Sequence, residues 1–161
     1  MIRAYVALGA NLGNPVATVE AAIEALAALR GSLLKAFSSL YRTAPVGLRH
    51  QPDFINAVVA VDTRLPAAEL LSELFALEAR FGRERSVPNA PRTLDLDLLL
   101  HGDTVQEDPA LTLPHPRMHQ RAFVLAPLTE IAPDIQVPGH GPARDLLAAC
   151  ADQRIHRLER R

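Results

Sequence analysis

The sequence has one cysteine, Cys150, in 161 residues, so neither an intrachain disulfide nor a cysteine-rich zinc site can be built from it. It has no tryptophan, 4% aromatic residues and a single lysine, Lys35. No window approaches the roughly eighteen apolar residues of a membrane span, and the apolar run from Ala4 to Leu8 is too short for a signal-peptide core. A reducing, cytoplasmic setting is expected. Nor is there an excess of one charge: seventeen basic against eighteen acidic residues leave −1. That balance offers no field for steering a long nucleic acid or for holding an anionic membrane. Small anionic ligands need only a local positive cluster. The positive charge is almost all arginine, whose guanidinium fork suits bidentate phosphate contacts, although genomic base composition explains the bias as well.

Apolar residues make up 48% and charged residues 22%, an ordinary globular composition for one domain over residues 1–161. Ile2 to Leu8 alternates as a strand and runs into the turn-rich Gly9 to Pro15. Val16, Val19, Ala22, Ile23, Leu26 and Leu29 recur at helical spacing between Pro15 and Gly31. Leu33 to Arg42 and Phe54 to Thr63 are predicted strands, joined by a long, proline-containing loop. Pro66 opens a second helix with Leu70, Leu71, Leu74, Leu77 and Phe81 on its stripe, closed by Gly82. Leu94 to Leu100 is a further strand, Ala122 to Ile131 a third helix, and 143–150 a short last one. The order predicts an α+β fold, a ferredoxin-like βαββαβ core with additional C-terminal helices.

The sharpest local feature is Pro91-Arg92-Thr93-Leu94-Asp95-Leu96-Asp97-Leu98. Residues two apart in a strand share a face, so Asp95 and Asp97 converge while the leucines go to the other side. Adjacent carboxylates repel unless a cation compensates, and a hard divalent ion with oxygen ligands, such as phosphate-bound magnesium, suits them. Asp-x-Asp alone fits two aspartates solvating an exposed edge strand better than a metal site. Flanking leucines argue instead for a buried strand, in which uncompensated charge is costly. Arg83, Arg85 and Arg92 bracket the strand on a segment without apolar periodicity, as expected of a loop that closes over a transferring phosphoryl group.

There is no Gly-x-x-x-x-Gly-Lys-Ser/Thr, so a P-loop kinase is excluded, and Gly9 to Gly13 lacks the dinucleotide fingerprint. His115 and His119 are four apart, but Pro114 and Pro116 oppose the helix that a zinc pair would need; a phosphate or nucleotide contact from His115 fits better. Phe54 and Phe123 could supply faces for a planar heterocycle, with Asn56 as paired donor and acceptor. Both rings are also readable as core.

Tyr5 to Gly13, Tyr41 to Pro45, Gln51 to Ala57, Gly82 to Arg85, Pro91 to Asp97 and Leu113 to Met118, in this order over most of the chain, resemble the 6-hydroxymethyl-7,8-dihydropterin pyrophosphokinases. The resemblance implies ATP-dependent transfer of pyrophosphate to the pterin hydroxymethyl oxygen in folate synthesis, with release of AMP. It implies two magnesium ions on Asp95 and Asp97, with Arg83 and Arg92 assisting transfer. Thr43, Pro45, Val46, Phe54, Asn56 and Phe123 align with the pterin pocket, and Leu71, Glu78, Leu98, Thr112, His115 and Arg121 with ATP contacts. Small molecules, not nucleic acid or membrane, are the expected partners.

Many relatives have a tryptophan and extra basic residues where this chain has Ser86 to Ala90, and Ala110 and Pro116 replace a basic and an aromatic residue often found near ATP. The expected nucleotide contacts carry over least directly. Two rival readings stand beside this one. A metal-dependent nucleotidyltransferase would add a third carboxylate and a basic groove. A non-catalytic pterin- or nucleotide-binding module would lose Asp95, Asp97 or Arg92.

Overall fold

The computed structural model describes residues 1–44, 51–82 and 93–159. In chain order the elements are β1 (Ile2–Ala10), α1 (Pro15–Ala27), β2 (Ser32–Phe37), β3 (Tyr41–Thr43), β4 (Phe54–Thr63), α2 (Ala67–Arg80) and β5 (Asp95–His101). A hairpin of β6 (Gln106–Asp108) and β7 (Leu111–Leu113) follows, then a 3-10 turn (Met118–Gln120) and α3 (Ala122–Ile131). The chain continues through β8 (Gln136–Val137), β9 (Gly141–Pro142), α4 (Ala143–Ala148) and β10 (Ile155–Arg157).

An antiparallel sheet in the order β10-β3-β4-β1-β5, with β2 also on β4, divides the molecule into two apolar layers. On one face Val6 and Leu8 of β1, Val59 and Val61 of β4 and Leu96 and Leu98 of β5 meet Val19 and Leu26 of α1 and Leu70, Leu74 and Leu77 of α2. On the other, Tyr5, Ala7, Val58 and Leu100 meet Leu125 and Leu128 of α3 and Ala143 of α4. Helices on both faces explain why β1 and β4 are apolar almost throughout: both sides of these central strands are covered.

β5 pairs with β1 through a register shift between Tyr5 and Val6, so Leu98 joins the first layer while Leu99 and Leu100 join the second. Asn14 caps α1 by accepting from the Ala17 N–H at 3.2 Å, and Pro15 occupies the first turn, where its missing N–H is not needed.

The single strand expected over Leu33 to Arg42 is broken in two, because serine side chains take over from the backbone ladder between β2 and β3. Ser38 Oγ accepts from the Val58 N–H at 2.9 Å, and the Ser39 N–H donates to Glu130 of α3, also at 2.9 Å. Glu130 further accepts from Ser39 Oγ at 2.9 Å and the Tyr41 hydroxyl at 2.7 Å, with Arg157 of β10 at 3.4 Å. This carboxylate ties α3, β3 and β10 together. Burial by itself would raise the Glu130 pKa, but the bonds from Tyr41 and Ser39 and the Arg157 charge outweigh it and hold the pKa below the usual carboxylate value. Burial and the same carboxylate push the Tyr41 hydroxyl well above the usual tyrosine range.

A depressed acid contributes stability above its unfolded pKa and loses it as pH falls through the folded one. Glu130→Gln should therefore lower unfolding free energy by about 1–3 kcal/mol near neutrality, with the gap to wild type closing in acid. Urea melts from pH 7 downward measure this, and a pH-independent gap would contradict it.

Candidate functional site

The site begins at β5, an edge strand whose alternation sorts leucine from aspartate. Leu94, Leu96 and Leu98 are buried under α2, and the Leu96 N–H donates to Glu78 Oε2 at 2.8 Å. Asp95 lies opposite Gly9 and Asp97 opposite Ala7 of β1, on the face that carries α3. The small residues on β1 leave room above the sheet beside the carboxylates. Asp95 is half-buried and Asp97 exposed, so the leucines bury only one face of this strand. The edge position also fits the expectation of solvated aspartates; what the two carboxylates line separates them from that reading.

A cleft of about 670 Å³ opens on the α3 face, with Asp95, Asp97, Gly9, Asn56, Phe54 and Thr43 along its sheet side and Arg121, Phe123 and Val124 above. One row of the sheet crosses its floor: Asp95, Gly9 and Asn56 are successive partners on β5, β1 and β4. Asn56 is buried, and its Oδ1 accepts from the Thr43 hydroxyl at 2.7 Å. A Cβ on Gly9 would stand 3.2 Å from Asn56 Nδ2, so the bare glycine leaves space for that amide. The result is a fixed amide with its oxygen engaged and its NH2 beside the cleft. The Arg121 guanidinium lies 5.5 Å from the centroid of the Phe123 ring.

A second concavity of about 330 Å³ wraps around the β5 edge, between α2 and the β6–β7 hairpin. Leu71, Phe75, Leu98, Thr112 and His115 line it, and so do Asp95 and Asp97. The two carboxylates thus belong to both hollows. The His115 N–H donates to the Leu99 carbonyl at 2.9 Å, and its Nδ1 accepts from the Arg117 N–H at 3.2 Å, leaving the ring proton on Nε2. Burial, then Arg121 and Arg117, push the His115 pKa down to about 4. It is therefore a neutral donor near pH 7.

Of the residues expected to hold the pterin, Thr43, Phe54, Asn56 and Phe123 line the larger cleft. Of those expected to contact ATP, Leu71, Leu98, Thr112 and His115 line the smaller one. Arg121 lines the larger cleft instead, because it precedes α3 on that face of the sheet. Glu78 lines neither; it is fully buried and accepts from the backbone of β5. Pro45, Val46, Arg83 and Arg92, with Arg85, lie outside the described residues. His119 stacks on His140, centroids 3.8 Å apart, and among the described residues no three His, Cys, Asp or Glu side chains form a metal-ligand cluster.

Sequence reasoning missed Arg117, Gln120 and Gln153, which also line the larger cleft. Gln153 Oε1 accepts from the Ala122 N–H at 2.9 Å and its Nε2 donates to the Gln120 carbonyl at 2.8 Å, capping α3 and bracing the turn before it. No local signal marks a cap supplied from 31 residues away.

A family model described as 7,8-dihydro-6-hydroxymethylpterin-pyrophosphokinase matches residues 5–133. A 2-amino-4-hydroxy-6-hydroxymethyldihydropteridine pyrophosphokinase from Pseudomonas aeruginosa is 46% identical over 156 residues, covering 97% of this chain and 96% of that protein. One of the same name from Haemophilus influenzae is 42% identical over 158 residues, covering 98% and 99%. Among solved structures, Plasmodium falciparum HPPK-DHPS wild type superposes with a TM-score of 0.72 at 15% identity, covering 94% of this chain and 41% of that one. At that identity the likeness is one of fold, and this chain spans less than half of that longer one.

Proposed function

Since this chain belongs to the 7,8-dihydro-6-hydroxymethylpterin-pyrophosphokinase family, we propose that its larger cleft takes the reduced pterin, its smaller one ATP, and that Asp95 and Asp97 stand where the two substrates meet. The chain is a pyrophosphokinase of folate biosynthesis, transferring a pyrophosphoryl group to hydroxymethyldihydropterin. The observation that carries the assignment is the shared wall: two carboxylates line both hollows, and the chemistry needs a metal between two substrates.

In the larger cleft the heterocycle would lie against Phe54 and Phe123, with the Asn56 NH2 donating to a ring acceptor. Its hydroxymethyl oxygen would then point toward Asp95 and Asp97. That oxygen bonds to the β-phosphorus of ATP while the bond from that phosphorus to the oxygen bridging it to the α-phosphorus breaks. The electron pair leaves with AMP, and the hydroxyl proton is released. His115 Nε2, neutral and half-buried, can donate to a phosphate oxygen without adding charge.

Two aspartates, with no third carboxylate clustered beside them among the described residues, suit magnesium, which takes oxygen ligands, retains water and shares its sphere with substrate phosphates. Bound there, two such ions would neutralise the triphosphate and polarise the β-phosphorus. Arg83 and Arg92 are assigned by resemblance to assisting the transfer, and Thr43, Pro45 and Val46 to the pterin side. Leu71, Leu98 and Thr112 would face the nucleotide. Arg121 moves from the nucleotide to the phosphate end of the pterin cleft, and Glu78 supports the metal strand from below. The absence of a third carboxylate beside Asp95 and Asp97 among the described residues disfavours a nucleotidyltransferase.

The strand order β5-β1-β4-β3 supports a ferredoxin-like βαββαβ core; we read the chain as one pyrophosphokinase domain that works in the cytoplasm on small molecules. The direct test is incubation with ATP, magnesium and 6-hydroxymethyl-7,8-dihydropterin. AMP should accumulate with the pterin diphosphate; ADP would mean an ordinary kinase and overturn the assignment.

A further inference from the structure

We propose that Gln153 is a positioning residue of the pterin site: it ties the helix wall of the larger cleft to the strand wall and so fixes the gap that a planar heterocycle enters. The proposal rests on the reading of that cleft as the pterin site.

The two walls come from separate layers. Phe123 and Val124 stand in the first turn of α3, whereas Thr43 and Asn56 belong to β3 and β4 of the sheet. The start of α3 has no cap of its own, because Arg121 at the N-cap position makes no side-chain bond to the helix. Gln153 supplies one from the C-terminal segment. Its Oε1 accepts from the Ala122 N–H at 2.9 Å, directly before Phe123, and its Nε2 donates to the Gln120 carbonyl at 2.8 Å. Gln153 lines the larger hollow and not the smaller one. With both ends of its amide engaged within the protein, it acts on a ligand through the residues it holds.

The same segment is anchored to the other wall. Just beyond Gln153, Ile155 opens β10 opposite Thr43, and the Thr43 hydroxyl donates to Asn56 Oδ1 at 2.7 Å. The Gln153 N–H donates to the Cys150 carbonyl at 2.9 Å, which closes the turn after α4. The short run from Gln153 to Ile155 therefore reaches from the root of Phe123 to the strand that orients Asn56. A flat ligand set between a ring and a fixed amide depends on that spacing, because hydrogen bonds weaken outside a narrow range of distance and angle.

The test compares the wild type with Gln153→Met, which keeps the shape and loses both bonds, and with Gln153→Glu, which keeps an acceptor for the Ala122 N–H. Pterin affinity is read from the fluorescence of 6-hydroxymethyl-7,8-dihydropterin with magnesium and α,β-methylene-ATP present, and KM for each substrate from AMP formation. Gln153 is exposed, so neither exchange opens a buried void, and the melting temperature should fall by no more than about 2–4 °C, the size of one lost helix cap in a chain of this length. Gln153→Met should weaken the pterin about five- to tenfold and raise its KM to match, with kcat and the KM for ATP within about twofold of wild type. Gln153→Glu should recover part of the loss. Unchanged pterin affinity in Gln153→Met, equal weakening of both substrates, or a Gln153→Glu variant no better than Gln153→Met would each overturn the proposal while leaving the cleft assignment intact. Failure of the wild type to bind the pterin at all would bring down the cleft assignment as well.

Discussion

Asp97→Asn should abolish most turnover, a loss on the order of a hundredfold or more, while the protein stays folded and melts at the same or a higher temperature. The side chain is exposed on an edge strand, opposite Ala7, so its replacement by an isosteric amide leaves no cavity and strands no buried charge. Removing one of two neighbouring carboxylates also relieves their repulsion in the metal-free protein. Catalysis would lose a charged oxygen ligand shared by both hollows. Single-turnover AMP formation across a magnesium titration measures the effect. Near-wild-type rates at limiting magnesium would remove Asp97 from the metal site, and Asp95→Asn should fail in the same way.

Asn56→Ala should weaken pterin binding by about 1–3 kcal/mol for each hydrogen bond lost, some ten- to a hundredfold, with ATP affinity nearly unchanged. Asn56 is buried and lies in the larger hollow only, and its amide is oriented by Thr43 at 2.7 Å and accommodated by Gly9. The alanine variant leaves a ring acceptor of the pterin unpaired in a desolvated site and deprives the Thr43 hydroxyl of its acceptor. A companion change separates orientation from presence: Gly9→Ala places a Cβ 3.2 Å from Asn56 Nδ2, so the amide must shift by a few tenths of an ångström. It should give a milder form of the same defect. Calorimetry with a pterin analogue and with ATP decides the matter, and equal weakening of both ligands would make Asn56 a structural residue.

Much of this molecule was legible along the chain because its signals are local. Period-two alternation placed Asp95 and Asp97 on the face opposite Leu94, Leu96 and Leu98, and β5 bears this out. Helical spacing between a proline and a glycine placed α1 and α2 within a residue or two of their ends. Six short motifs in order pointed to the family that the relatives share. The split of Leu33 to Arg42 into β2 and β3 was not legible, since the serines that interrupt it owe their effect to Glu130, some 90 residues away and on another layer. Sequence spacing likewise carries no information on which side of a sheet a distant loop will land. Nothing in the spacing tells that Arg121, expected at the nucleotide, lines the larger cleft, or that Glu78, expected at the same ligand, is buried beneath β5.

The sequence by itself determined the main helices and the long strands, the paired carboxylates and the kind of chemistry, because backbone period and residue type are properties of neighbours in the chain. Only the tertiary structure decided that those carboxylates border two hollows, that Gly9 makes room for Asn56, and that Gln153 caps α3. Each of these depends on groups brought within a few ångströms by packing the two helical layers against opposite faces of one sheet.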